Sequence, residues 1–346
     1  MSLLLSVIIP TRNRAQRIGD LLDSLAVQNP VPFRWEVLVI DNGSTDQTSQ
    51  IVHQKMSELP IKIRYIHEPR LGLHHGRHRG ANEAEGSFVG YLDDDMVLAP
   101  TWIQGVDMVA SDKAVAVVGR ILPKWEAKPP EWLLKMASNG VFGYLGLLDL
   151  GGEKKPIDPM LVFGGNCFLP KKIVFSLGGF HPDGVPTEHL RWRGDGETAL
   201  MSRFKKAGYR AYYDPCATAY HIIPASRLTI EYICNRAYNQ GISRSFSDIR
   251  HNGGLMLQPS PETTENLYKQ FTRVCLKVQQ KSFMEMLGAF WRRIASTLCW
   301  FSRDAKISRQ VRTAYLDGYE FHRNEVRNDP ELLSYVLKKN YLECDQ

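Results

Sequence analysis

The sequence predicts a doubly wound α/β sheet, with parallel strands alternating with covering helices, followed by a C-terminal helical extension. Three observations carry this expectation. An apolar, β-branched run at residues 3–9 is of the kind that fills a central parallel strand, and further strands are expected at 35–40, 61–67 and 87–92. Each run stops at a polar loop: Pro10-Thr-Arg-Asn13, Asp41-Asn-Gly-Ser-Thr-Asp46, Glu68-Pro-Arg70 and Asp93-Asp-Asp95. Helix-length segments lie between the runs, the first at about residues 15–28 with Ile18, Leu21, Leu22 and Leu25 on one face. In such sheets the loops at the carboxyl ends of the strands line the ligand crevice, so Asp41, Arg70 and the three aspartates are expected to converge on one edge.

Further along, a helix after Trp102 and a strand at 115–121 precede a long irregular stretch, 123–159, rich in Trp, Pro and Gly. So long a stretch inside a compact domain is usually functional or mobile. Residues 212–221 read as the last strand of the sheet. Helices are then expected at 230–241, 262–280 and 283–301, and onward to Tyr341, which divides the chain into a sheet domain, 1–225, and a helical region, 226–346.

Composition bounds the function. An apolar fraction of 43% over 346 residues argues against disorder, and the net charge of +6 with a pI near 8.9 suits phosphates or anionic surfaces. Charge alone does not exclude nucleic acid, yet no nucleic-acid partner is expected. Cys167, Cys216, Cys234, Cys275, Cys299 and Cys344 are scattered without a CxxC pair, as in a protein of the reducing cytosol. The first residues lack a basic leader and a cleavage site, so they read as a buried strand, not a signal peptide. With no charge-free apolar run of about 18 residues, no transmembrane helix is expected. No GxGxxG follows the first strand, which disfavours a dinucleotide-dependent oxidoreductase.

The stretch hardest to explain by packing is Gly90-Tyr-Leu-Asp-Asp-Asp-Met-Val-Leu98. Three adjacent carboxylates at the end of a buried strand repel one another, so a positive group should neutralise them. A hard divalent cation such as Mg²⁺ or Mn²⁺ fits, because it takes oxygen ligands from one or two carboxylates and from substrate phosphates. A solvated Asp-rich turn is the plain alternative.

Together, Val-Ile-Ile-Pro-Thr-Arg-Asn-Arg, Val-Leu-Val-Ile-Asp-Asn-Gly-Ser-Thr-Asp, Gly-Leu followed by Arg77, and Tyr-Leu-Asp-Asp-Asp resemble the nucleotide-sugar-binding half of family 2 glycosyltransferases. The resemblance implies a GT-A fold with a mixed sheet, a sugar-nucleotide donor, most simply a UDP-sugar, a divalent cation, and inverting transfer to a saccharide or lipid-linked saccharide in cell-surface glycan synthesis. It implies that Pro10, Thr11, Arg12 and Asn13 approach base and ribose, that Asp41 or Asn42 reads the base, and that Arg70 and Arg77 contact diphosphate. Asp93 and Asp95 match the acidic pair of the family's metal motif, with Asp95 as the direct ligand, Asp93 on ribose or metal, and Asp94 orienting the loop. His221 matches a histidine that completes the cation site in some relatives. An Asx turn with an N-cap at Ser44 or Thr45 would explain the Asp41 loop without a ligand.

Leu161-Val-Phe-Gly-Gly-Asn-Cys-Phe-Leu169 resembles the segment below the donor sugar; Gly164 and Gly165 would let backbone approach a ligand, and Asn166 would bond sugar hydroxyls. Trp125, Trp132, Phe142 and Tyr144 are candidate stacking faces for an acceptor, with core packing as the alternative. Inverting transfer needs a carboxylate to take the acceptor proton. Arg193-Gly-Asp-Gly-Glu-Thr-Ala-Leu200 supplies Glu197, at the family's base position, and Asp195 as contender. His74 and His78, four residues apart, offer a weak transition-metal pair against the simpler reading of a partly exposed basic helix face. The helix at 283–301, followed by Arg303, Lys306, Arg309 and Arg312, suits an interfacial position on anionic lipid at the inner face of the plasma membrane, packing on the sheet domain, or a homodimer contact. Competing readings are a metal-dependent sugar nucleotidyltransferase and a non-catalytic nucleotide-sugar-binding scaffold.

Overall fold

The computed structural model describes residues 3–112, 115–138, 141–255 and 303–342. The elements run β1 (Leu3–Thr11), α1 (Ile18–Ala26), β2 (Arg34–Asp41), α2 (Thr48–Glu58), β3 (Ile63–His67), α3 (Leu73–Glu83), β4 (Phe88–Leu92), β5 (Met96–Leu98), α4 (Val106–Ser111) and β6 (Val115–Trp125). They continue with α5 (Glu131–Ala137), β7 (Val141–Phe142), β8 (Leu147–Leu148), β9 (Lys155–Ile157), β10 (Asn166–Pro170), α6 (Lys171–Ser176), α7 (Gly196–Lys206), β11 (Arg210–Ile223), α8 (Ile230–His251), α9 (Arg303–Asn328) and α10 (Pro330–Val336). The chain forms two compact units: Met1–Lys124 with Gly146–Ile222 and Ser334–Gln346, and Trp125–Leu145 with Ile223–Leu333. The boundary differs from a single cut after residue 225, because 125–145 joins the helical unit and the end of the chain returns to the sheet unit. That return is held by Tyr341, whose ring packs 5.1 Å from His181, and by Tyr335, 4.9 Å from Trp192.

The first unit is built on a mixed sheet of order β3-β2-β1-β4-β10-β6-β11-β5. β1 to β4 are mutually parallel, whereas β10 runs antiparallel to β4 and β6, and β5 antiparallel to β11. The apolar runs sit where a sheet covered on both faces requires them: Leu5, Val7, Ile8 and Ile9 of β1 and Val37 to Ile40 of β2 are fully buried. α1 buries Ile18, Leu21, Leu22 and Leu25, the face its 3.6-residue period defines. The parallel register sets Thr11 beside Asp41 and Asp41 beside His67, so three strand-end loops share one edge. The long stretch 123–159 is not structureless; it contains α5, β7, β8 and β9. Cys167, Cys216 and Cys234 form no disulfide.

The second unit contains α8 and α9 packed against each other. Glycines permit their close approach: a Cβ on Gly241 would stand 2.0 Å from the Tyr315 carbonyl oxygen, and one on Gly318 2.0 Å from that of Tyr238. The same seam carries a buried hydrogen bond of 2.9 Å between Ser245 Oγ and His322 Nδ1. Gly241→Ala is therefore expected to destabilise this unit by about 2–3 kcal/mol, since rigid backbone must move aside. A two-step thermal melt in which only one transition shifts would show it; an unshifted melt would contradict the packing. Trp132 and Phe142 are buried in this unit. Among the described residues no helix is long and apolar enough to cross a membrane. The helices expected at 262–280 and 283–301, with their lipid-facing or dimer contacts, lie outside the described residues.

Candidate functional site

The aspartate triplet ends β4 and turns straight into β5. Asp94 and Asp95 are 8% and 6% exposed, and Arg14 answers their charge, with Nε 3.0 Å from Asp94 Oδ1 and Nη2 3.8 Å from Asp95 Oδ2. Arg14 thus faces two of the three carboxylates, and Arg77 stands 3.8 Å from the third, Asp93. Burial pushes the Asp94 carboxyl up to about 7, against the opposing pull of Arg14. Asp93 is likewise raised by burial, eased by Arg77 and worsened by Asp95. Protein crowds Asp93 on most sides, yet 41% of its side chain still meets solvent, which moderates that push.

β11 brings His221 to the same place, because His221 pairs with Met96 and the Ile222 amide donates to the Asp95 carbonyl at 2.9 Å. His221 Nε2 stands 3.3 Å from Asp95 Oδ1. Asp95 and His221, with Asp93 beside them, are a hard oxygen-and-imidazole donor set with an excess of buried negative charge. This suits a divalent cation whose remaining ligands are phosphate and water. Among the described residues no three such groups are already gathered around one point.

Across from Asp93 lies α7. Glu197, in its first turn, accepts from Arg77 Nη1 at 3.2 Å, and Arg77 Nη2 is 3.8 Å from Asp93 Oδ1. Asp195, two residues earlier, faces elsewhere: its Oδ1 accepts from His181 Nδ1 at 2.6 Å, and His181 Nε2 accepts from Arg203 Nη1 at 2.6 Å. That chain assigns the imidazole proton to Nδ1. Of the two base candidates, Glu197 pairs with Arg77, the partner of Asp93.

The loop after β2 is held largely by its own side chains. Asp41 accepts from the Ser44 amide, three residues on, at 2.8 Å and from the Tyr65 hydroxyl at 2.6 Å, a side-chain-held turn one residue longer than an Asx turn. The α2 N-cap is Gln47, not Ser44 or Thr45, and it makes no capping bond with its side chain. Asn42 bonds the Glu68 and Arg70 carbonyls and accepts from the Gly72 amide at 2.8 Å, so it braces the next loop. Pro10 packs on Gly76 and Thr11 is buried by Asp94, while Arg12 is exposed. Asn13 takes a left-handed φ of 53° and accepts from the Thr45 amide at 2.8 Å.

Several expectations need correction. Asn166 is fully buried: its Oδ1 accepts from Trp102 Nε1 at 2.7 Å, and its Nδ2 donates to the Arg120 and Ala217 carbonyls at 3.1 and 2.9 Å. It ties strands together, with no free donor to offer a sugar. Gly164 and Gly165 make room for side chains of the protein itself. A Cβ would lie 2.6 Å from Arg77 Nη2 in the first case and 2.3 Å from Asp93 Oδ2 in the second. Arg70 is paired with Glu68 through Nε and Nη2 at 2.8 and 2.7 Å, with its side chain 36% exposed.

The α3 face is more deeply buried than a partly exposed basic stripe: His74, Arg77 and His78 are buried, while Arg79 is 43% exposed. Gly76 and Gly80 let the helix sit tight on Pro10 and Ile8, drawing its polar side chains inward. His74 Nδ1 accepts from the Asp183 amide at 3.4 Å and His78 Nε2 from the Phe180 amide at 2.8 Å, which makes them anchors, not metal ligands. Burial, with His75 and Arg77 nearby, lowers His78 from the ordinary 6.5 to about 3. The unfolded chain takes up this proton below about pH 6.5 and the native state does not. Stability attributable to His78 is therefore complete above that pH and falls by about 1.4 kcal/mol per unit as pH drops towards 3. Melts at pH 7.5 and 5.0 should show a smaller acid-induced loss in His78→Gln than in the parent; equal losses would contradict it.

Arg14, His181, Asp183 and Arg203 were not foreseen. Only Arg14 had a readable signal, as a cation close to a strand-end loop facing an acidic triplet.

Comparison with known proteins agrees with this architecture. The family model "Glycosyl transferase family 2" matches residues 6–174. A glucosyl-dolichyl phosphate glucuronosyltransferase of Haloferax volcanii is 21% identical over 267 residues, 76% of this chain and 81% of that protein. The poly(ribitol-phosphate) beta-N-acetylglucosaminyltransferase TarS of Staphylococcus aureus is 40% identical over 90 residues, 26% of this chain but only 16% of TarS. The mannosyltransferase PcManGT of Pyrobaculum calidifontis, solved with GDP-Man and Mn²⁺, shares the fold at a TM-score of 0.58 and 18% identity, over 94% of this chain and 88% of that one. With its motifs, sheet order and these likenesses in agreement, residues 6–174 match glycosyl transferase family 2, and the chain is a glycosyltransferase of GT-A fold.

Proposed function

We propose that the protein transfers a sugar, with inversion at the anomeric carbon, from a nucleoside-diphosphate sugar to a hydroxyl of a saccharide or lipid-linked saccharide. The donor is a UDP-sugar. What supports this most is that Glu197 and Asp93 flank one buried guanidinium beside the Asp95–His221 pair. Donor-side charge and a candidate base thereby share one cluster. Glu197 takes the acceptor hydroxyl proton as that oxygen attacks the anomeric carbon, and the nucleoside diphosphate leaves from the opposite face in one displacement. Asp95, Asp93 and His221 would hold Mg²⁺ or Mn²⁺, which would supply positive charge beside the leaving diphosphate. The loop braced by Asp41 and Asn42 receives the base. A lipid-linked acceptor accords with the name of the Haloferax relative. It would place the enzyme in the cytoplasm at the inner membrane face, met through the C-terminal helical region.

Thermal melts against UDP- and GDP-sugars, with and without Mn²⁺, test the reading. A donor at a hundredfold excess over its Kd stabilises by about 2.7 kcal/mol, a rise of several degrees. The expected result is a rise with a UDP-sugar that needs the metal and is lost in Asp95→Asn. A rise with GDP-sugars alone would overturn the uridine assignment, and no rise with any sugar nucleotide would overturn the function.

A further inference from the structure

We propose that Arg77 is a positioning residue that orients the Glu197 carboxylate towards the acceptor and does not bind the donor diphosphate. This rests on the reading of Glu197 as the base. A phosphate-binding arginine needs its planar fork of donors open to the ligand. The Arg77 side chain is only 3% exposed, and its two terminal nitrogens point at carboxylates, Nη1 at Glu197 and Nη2 at Asp93. The ring of Phe180 lies below the guanidinium, 4.9 Å from Cζ. Gly164 closes the other side so tightly that a Cβ there would stand 2.9 Å from Cζ. Swinging the fork out to a diphosphate would break both ion pairs of a buried guanidinium and leave the half-exposed Glu197 and Asp93 without this counter-charge.

The surroundings reinforce this geometry. Asp195 is drawn away by His181, which sets the start of α7 and leaves Glu197 on the Arg77 side. The charges of Glu197, Asp93 and Asp183 outweigh the effect of burial and keep Arg77 firmly protonated. The guanidinium thus bridges the donor-side triplet and the acceptor-side carboxylate, fixing the direction in which Glu197 presents its oxygen. The other oxygen of that carboxylate remains for the acceptor, since Glu197 is 31% exposed.

The test uses the full chain with its metal and compares parent, Arg77→Met, Arg77→Lys, Glu197→Gln and the Arg77→Met/Glu197→Gln double variant. Steady-state kcat and donor KM are measured, together with UDP affinity by calorimetry in the presence of Mn²⁺. Arg77→Met should lower kcat about 100-fold, the scale of a misaimed base, with UDP affinity held within about threefold. Arg77→Lys, which retains the buried charge, should recover at least about tenfold of the loss and serves if the Met variant does not fold. The double variant should be no slower than Glu197→Gln alone, because nothing remains to be positioned. A tenfold or greater loss of UDP affinity with kcat retained would make Arg77 a diphosphate ligand and overturn the proposal, as would losses that multiply in the double variant. A fully active Glu197→Gln enzyme would instead remove the base assignment, a failure visible before any Arg77 variant is made.

Discussion

Glu197→Gln is expected to slow sugar transfer by about 10²–10⁴-fold, the usual contribution of a positioned general base, while leaving nucleotide binding intact. Glutamine keeps the shape and can still accept from Arg77 Nη1, so the loss reports proton removal and not collapse of the site. Asp195→Asn provides the contrast. Its carboxylate is held by His181, which is held in turn by Arg203, so its replacement should cost stability through a weakened charge-assisted bond and leave most of kcat in place. Transfer of a radiolabelled sugar at saturating donor, with UDP affinity measured in parallel, checks both. If Asp195→Asn is the dead variant and Glu197→Gln the active one, the assignment is reversed. A nucleotidyltransferase has no use for Glu197 and releases pyrophosphate, and a binding scaffold gives no turnover even in the parent, so the same assay separates those readings.

Asn166→Leu should lower stability by about 3 kcal/mol or more, with a melting-temperature drop of roughly 6–12 °C. Leucine matches the volume but leaves the Trp102 indole N–H and the Arg120 and Ala217 carbonyls without their partner in a fully buried place. Each orphaned group costs about 1–3 kcal/mol. The surrounding space allows no rearrangement, since Gly119 is already so near that a Cβ on it would lie 2.3 Å from Asn166 Nδ2. Denaturant unfolding measures the stability. Kinetics on the folded fraction at low temperature should show donor KM unchanged. An undisturbed melt with raised donor KM would restore the sugar-contact role that the motif suggested.

The fold was legible because its signals are local. The β1 and β2 runs announce strands covered on both faces, and the α1 face follows from a single period. The side-chain-held turn at Asp41 is written in four consecutive residues. The candidate site was legible by position, through the strand-end loops, but not by partnership. Asn166 sits in a motif that suggests sugar contact, yet its bonds run to residues as far as 64 positions away along the chain. The basic look of α3 suggests solvent, and nothing in its sequence shows that Gly76 and Gly80 press it onto β1.

The sequence by itself determined the order of strands and loops, the acidic triplet and the presence of a carboxylate at the start of α7, because hydrophobic period and turn chemistry act over a few residues. Only the tertiary structure decided which charges meet: Arg77 with Glu197, 120 positions apart, Arg14 with Asp94, and Asp195 with His181 rather than with the triplet. The physical reason is that a buried charge is stable only beside its counter-charge, and strand register and helix packing, not neighbourhood along the chain, choose that partner.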